Sequence, residues 1–290
     1  MTDIFRDILM DTLLESVKLL PFLFLTYLLM ETLEHKKVAR VQKKIRTAGK
    51  LGPVWGGLLG VVPQCGFSTA AGSLYAGRVI TLGTLMAIYL STSDEMLPIL
   101  ISEAVPMGEI VKILAVKVAI AIVSGLIIEF VYVGILKKRE PEMDIHVVCE
   151  EEHCHCEDGI VLSAFKHTIK IFIFILLISL VLNTIIVLIG EDALAGIFFG
   201  MPMVGEMIAA LVGLIPNCAS SVVITTLYLD GIIGVGAMMS GLLVNSGVGI
   251  LVLFRLNRNV RQNLGIIGAM YGISVFWGVV LELLGVVFQY

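Results

Sequence analysis

Charge is scarce in this sequence. Only 15% of its 290 residues are Asp, Glu, Lys or Arg, against 58% hydrophobic. With a mean hydropathy of +0.98, that balance excludes a soluble globular domain of this length. There is no Walker A motif, so no ATPase module is encoded. No nucleic-acid or redox-cofactor motif appears, and no cofactor is expected. Histidine is rare: His35, His146, His153, His155 and His167 are all expected at or beyond the ends of apolar runs. A cysteine nucleophile needs a histidine base beside it, so an intramembrane enzyme built on Cys65 or Cys218 is not expected. The opening segment lacks the basic start of a cleaved signal. It carries Asp3, Asp7, Asp11 and Glu15, and the apolar run after it is expected to be a permanent span. The five cysteines make no secreted disulfide framework.

Apolar length is what the sequence has in abundance. A helix crosses a bilayer with about 20 apolar residues, and clear runs cover 17–33, 79–102, 110–136, 169–189, 232–254 and 264–288. Two further stretches, 51–75 and 203–229, are interrupted near their middles by Pro63-Gln64-Cys65 and Pro216-Asn217-Cys218. Basic residues set the orientation. They cluster at 36–50, at Lys137, Lys138 and Arg139, and at Arg255, Arg258 and Arg261, and the positive-inside rule places all three clusters in the cytoplasm. A single crossing by 51–75 would put Lys137–Arg139 outside. A re-entrant hairpin that turns at Pro63–Cys65 keeps every basic cluster inside. Half-helices of about 11 residues, rising about 16 Å each, suit such a hairpin.

The two halves repeat. Pro63-Gln64-Cys65-Gly66-Phe67-Ser68 answers Pro216-Asn217-Cys218-Ala219-Ser220-Ser221, 153 residues on. Lys18 and Glu31 answer Lys170 and Asn183, Ser91-Thr92-Ser93 answers Asn245-Ser246-Gly247, and Gly125 and Glu129 answer Gly278 and Glu282. The expected fold is an all-α polytopic membrane protein of two inverted-topology repeats, each with three full spans and one broken hairpin. Repeat one covers 1–139, a His/Cys-rich cytoplasmic loop 140–162, and repeat two 163–290. Interrupted helices in inverted repeats place a transporter's substrate near mid-membrane, since irregular backbone at that depth must be buried in protein or line a cavity.

The candidate site follows from this plan. If the hairpins meet tip to tip, Cys65 and Cys218 become neighbours, and two thiolates suit a soft, thiophilic ion. A buried cysteine is also a common apolar filler. Ser68 and Ser221 add hydroxyls. Asp94, in an apolar run, is the strongest proton or cation candidate, and Asn245 brings an amide from the opposite half. Glu129 and Glu282 are candidates for coupling a proton, and such oxygen donors equally suit Mn²⁺. The loop ligands His146, Cys149, His153, Cys154, His155 and Cys156 can hold Zn²⁺ or Cu⁺.

Those residues resemble a known family. The twin Pro-Gln-Cys-Gly-Phe-Ser and Pro-Asn-Cys-Ala-Ser-Ser elements, the length and the His/Cys loop are similar to the ten-span heavy-metal exporter family. Its members are labelled arsenic efflux permeases or manganese transporters. The resemblance implies ten membrane segments, a metal or metalloid ion as substrate, and Cys65, Cys218, Pro63, Gln64, Pro216 and Asn217 at the site. A permease-like secondary transporter is the leading expectation. A passive channel, or the membrane subunit of a larger complex, stays open, as does assembly into an oligomer. A lipid bilayer is the expected partner and nucleic acid is not.

Overall fold

The computed structural model describes Met10, 12–13, 17, 20–21, 23–28, 51–62, 65–93, 95–131, 160–189, 204–257 and 259–288. These residues form helices joined by turns and contain no strand. In chain order the helices are α1 (Gly52–Leu59), α2 (Cys65–Ala76), α3 (Leu82–Ser91), α4 (Met96–Ser102), α5 (Met107–Glu129), α6 (Ile160–Ile189), α7 (Val204–Gly213), α8 (Cys218–Leu229), α9 (Val235–Val244), α10 (Gly249–Leu256) and α11 (Val260–Leu283).

Local sequence explains where these helices start and stop. Pro53 sits in the first turn of α1, where a missing N–H does no harm. Thr81 caps α3 by accepting from Thr84 N, Asn217 caps α8 through Ala219 N, and Asn259 caps α11 through Gln262 N. Such caps satisfy amides that have no intrahelical partner. Helices α2 and α8 end in the same turn. After α2, Val79 N donates to Leu74 O at 2.8 Å and Arg78 N to Tyr75 O at 3.0 Å; after α8, Ile232 N donates to Leu227 O at 2.9 Å and Gly231 N to Tyr228 O at 3.0 Å. This closing turn needs a left-handed residue. Gly231 supplies it at φ +71°, and Arg78 adopts it at φ +58°.

Packing partners recur 153 residues later. Helix α5 packs on α3 and α11 on α9; α1 packs on α3 and α7 on α9. Helices α3 and α5 approach at Gly83 and Gly125, and α9 and α11 at Gly236 and Gly278, so closely that a Cβ on any of the four would meet a facing backbone oxygen at 2.5–2.7 Å. Small residues permit such backbone contact in membrane helix pairs. Between the halves, α2 packs on α10 and α8 on α4. Directions are readable from the glycines. Gly52, Gly56 and Gly60 lie against Thr84, Ile88 and Ser91, so α1 and α3 run parallel. Gly249 lies against Ser68 and Gly72 against Leu253, so α2 and α10 also run parallel.

The long helices are apolar on the outside. Helix α5 buries Ile110, Ile113, Lys117, Ala121, Ser124 and Gly125 on one face and exposes Met107, Val111, Val123 and Ile127 elsewhere. Helix α11 buries Asn263, Ile266, Met270, Ser274 and Gly278 and exposes Leu264, Phe276 and Leu283. Polar and small residues inside with large apolar ones outside is the pattern of a helix facing lipid. Among the described residues four helical stretches are long and apolar enough to cross a membrane: Met107–Glu129, Ala164–Val181, Val235–Leu256 and Val260–Leu283.

One expectation needs revision. The runs 79–102 and 232–254 read as uninterrupted spans, yet each is two helices with a break, between Ser91 and Met96 and between Val244 and Gly249. Each half therefore carries two interruptions where one was expected. Polar side chains bond to the backbone at both breaks. Thr92 donates to Ile88 O at 2.8 Å, and the Asn245 amide oxygen accepts from Gly247 N at 2.8 Å.

Candidate functional site

Helices α2 and α8 each begin at a cysteine, and the two cysteines meet. Cys65 Sγ and Cys218 Sγ lie 2.9 Å apart, both are buried, and they are not joined as a disulfide. They share an apolar cluster with Leu23 and Tyr27 of the first segment, Ile171 and Ile175 of α6, and Val248 beside the second break. Each is the first residue of a 12-residue helix. The positive ends of two helix dipoles thus flank the sulfurs and favour negative charge there.

The hydroxyls expected to touch substrate are engaged in holding these turns. Ser68 donates to the Cys65 carbonyl at 2.9 Å, and its counterpart Ser221 to the Cys218 carbonyl at 2.7 Å. Asn217 is an N-cap, and Pro216 is half-buried in the turn before it. Asn245 reaches across with its amide nitrogen to Ser220 Oγ at 3.1 Å, which ties the second break to the Cys218 turn. At the first break, Ser93 Oγ does the same work, donating to the Val61 carbonyl at 2.5 Å.

Glu129 and Glu282 do not join this centre. Glu129 Oε2 accepts from Gly83 N at 3.2 Å and Glu282 Oε2 from Gly236 N at 2.9 Å. Each carboxylate thus caps the first turn of the helix that its own helix crosses, a favourable place for negative charge. Pro63, Gln64, Asp94 and the loop ligands His146, Cys149, His153, Cys154, His155 and Cys156 lie outside the described residues. Among the described residues no three His, Cys, Asp or Glu side chains gather as a metal site. The donors that do meet are two thiols, with neutral oxygens and amides at the adjoining turns.

Several polar residues escaped the sequence reading. Lys117, 1% exposed, donates its ammonium to the Thr92 carbonyl at the first break. A lysine near the middle of an apolar run is the signal that marks it. Trp277 Nε1 donates to Ser124 Oγ at 3.1 Å, a second contact between residues 153 apart. His167, expected at an interface, is 1% exposed and stacks on Tyr27 with ring centroids 5.3 Å apart.

Interrupted helices around a buried thiol and amide centre, sheathed by apolar spans, define a multi-pass helical membrane protein of the kind that carries solutes. The chain belongs to the family described as “Putative, 10TM heavy-metal exporter”, whose model matches residues 2–189. No curated protein and no solved structure matches it.

Proposed function

We propose that this chain is a secondary transporter of the cell membrane that exports a thiophilic metal or metalloid ion, arsenite-like in chemistry, through Cys65 and Cys218. The carrying observation is the 2.9 Å approach of these two buried sulfurs. Soft ions prefer thiolate ligands, and bonds of about 2.3 Å to each sulfur need only a small parting of the pair. In this reading repeat one (1–139) and repeat two (163–290) are inverted in the membrane. The parallel run of α1 and α3 supports a re-entrant hairpin, because a full crossing between them would make them antiparallel. The parallel run of α2 and α10 supports inversion, since both then head for the cytoplasm, where Arg78 follows α2 and Arg255 occupies the last turn of α10. Loop 140–162 is cytoplasmic and gathers the ion through its histidines and cysteines. The capping bonds of Glu129 and Glu282 favour a structural role for both, so the coupling ion is better sought at the breaks.

Export is tested in a metal-sensitive host. Cys65→Ser and Cys218→Ser should each abolish arsenite resistance, with cellular arsenic rising to the level of cells that lack the protein. Full resistance in both variants removes the thiol site. A manganese exporter gives the opposite pattern: Asp94→Asn stops Mn²⁺ efflux and the cysteines are dispensable. Flux that neither saturates nor follows an ion gradient assigns a passive channel.

A further inference from the structure

The two breaks use their polar groups differently. At the first, the Thr92 carbonyl at the C-terminal end of α3 receives the Lys117 ammonium, and the Ser93 hydroxyl is bonded to Val61 O. Helices α3 and α9 end at Ser91 and Val244, so the structure shifts the sequence match by one residue and puts Asn245 and Ser246 where Thr92 and Ser93 stand; Met270, in the same register with Lys117, is fully buried and uncharged. Ser246 Oγ is buried, with the residue 1% exposed, and has no hydrogen-bond partner among the described residues. Asn245 cannot satisfy it, since its amide is held by Ser220 Oγ and Gly247 N. Gly249 N, which would donate to the Asn245 carbonyl in an unbroken helix, donates to the Ser246 carbonyl at 3.2 Å. A buried hydroxyl without a partner is unfavourable, and the C-terminal end of α9 adds partial negative charge. Ends of broken helices and their freed carbonyls are suited to small cations.

We propose that the second break binds a small monovalent cation through the Ser246 hydroxyl and the Asn245 carbonyl, and that the Lys117 ammonium is its covalently tethered counterpart at the first break. The donors are neutral, which fits a single charge; hard divalent ions draw on carboxylates. The carboxylate of α11 is held away, since Glu282 is bonded at Gly236, nine residues or about 13 Å along α9 from Asn245. Glu206 of α7 packs with its carbonyl on Ser240, more than a helical turn before the break. That this cation drives transport rests on the export reading above; that it binds does not.

The test is thermal unfolding of the purified full chain in sodium, potassium or choline chloride at matched ionic strength. Wild type should be stabilised saturably by sodium or potassium over choline. Ser246→Ala should need about tenfold more cation for the same shift, whereas Ser246→Thr, which keeps the hydroxyl, should respond like wild type. Met270→Lys, which copies the first break, should melt alike in all three salts. Equal melting of the wild type in all three salts overturns the proposal, as does an undiminished response in folded Ser246→Ala. Should Met270→Lys fail to accumulate, the Ser246 pair decides alone. Cys65→Ser should keep the cation shift while losing export, so the two readings fail separately.

Discussion

Mild oxidation should join the two halves at Cys65 and Cys218. The sulfurs are 2.9 Å apart and must close to about 2.05 Å, under 1 Å of movement at two helix ends. Diamide supplies the chemistry: each thiol gives up a proton and an electron, the Sγ–Sγ bond forms, and the azo compound becomes a hydrazine. The link closes a loop spanning 153 residues, which removes about 5 kcal/mol of chain entropy from the unfolded state. The assay is a non-reducing gel on protein carrying Cys149→Ser, Cys154→Ser and Cys156→Ser, so that only the buried pair remains. A faster intramolecular band should appear, vanish with dithiothreitol, and be absent when either Cys65 or Cys218 is replaced. The export that this variant retains should stop in the linked protein and return on reduction, because the link pins two turns that the proposed transport must part. Absence of the band under conditions that oxidise an accessible thiol pair would refute the juxtaposition, and with it the shared thiol site.

Two further outcomes test the packing. Gly249→Ala places a Cβ 2.8 Å from the Ser68 backbone, so α2 and α10 must separate; overpacking of this kind costs about 1–3 kcal/mol. The melting midpoint should fall and the oxidative link should form more slowly, and an unchanged midpoint would count against the close approach. Glu129→Ala and Glu282→Ala should each destabilise by about 1 kcal/mol through loss of a helix-end bond, with nearly additive effects in the double variant. Lost transport with unaltered melting in either would instead assign that carboxylate to coupling.

The twin prolines made half of this architecture legible. Pro63 and Pro216 sit in otherwise apolar stretches at matching positions, and proline before a helix start cannot be read as mid-span. The cysteine that follows each one became a candidate only through repetition, and its partner only through the symmetry that repetition implies. The second pair of breaks was harder to see. Ser91-Thr92-Ser93 and Asn245-Ser246 lack proline at the break itself, and short polar side chains can bond to a helix's own carbonyls without breaking it. Their matching positions in the two halves were the available clue. Lys117 was hidden by its surroundings, because a window of high mean hydropathy absorbs one charge. Glu129 and Glu282 were seen as a pair, but their partners are backbone amides of Gly83 and Gly236, and no side-chain pattern announces a backbone donor. The hydroxyls of Ser68 and Ser221 were expected to face substrate, and instead they bond to carbonyls one turn back. That choice depends on local helix geometry, which composition does not express.

Interrupted backbone needs shelter from lipid, and the burial follows that need. The stretch Val235–Leu256, which contains the second break, is 89% buried, whereas the candidate spans Met107–Glu129, Ala164–Val181 and Val260–Leu283 are 39%, 33% and 28% buried. Unpaired backbone groups facing hydrocarbon cost several kcal/mol each, so the continuous helices take the outside and the broken one the centre. The shelter comes largely from the other half of the molecule. Helix α10, which continues from the second break, rests on α2 of the first half, and α4, which continues from the first break, rests on α8 of the second. A hairpin that shifts must therefore carry the opposite half's break with it. The tips of those same hairpins bear Cys65 and Cys218, so a change at the sulfurs reaches both breaks through direct packing. Lys117 at one break and Ser246 at the other make the two ends of that linkage chemically unequal, and an unequal pair has a means of favouring one direction of movement when a cation arrives at only one of them.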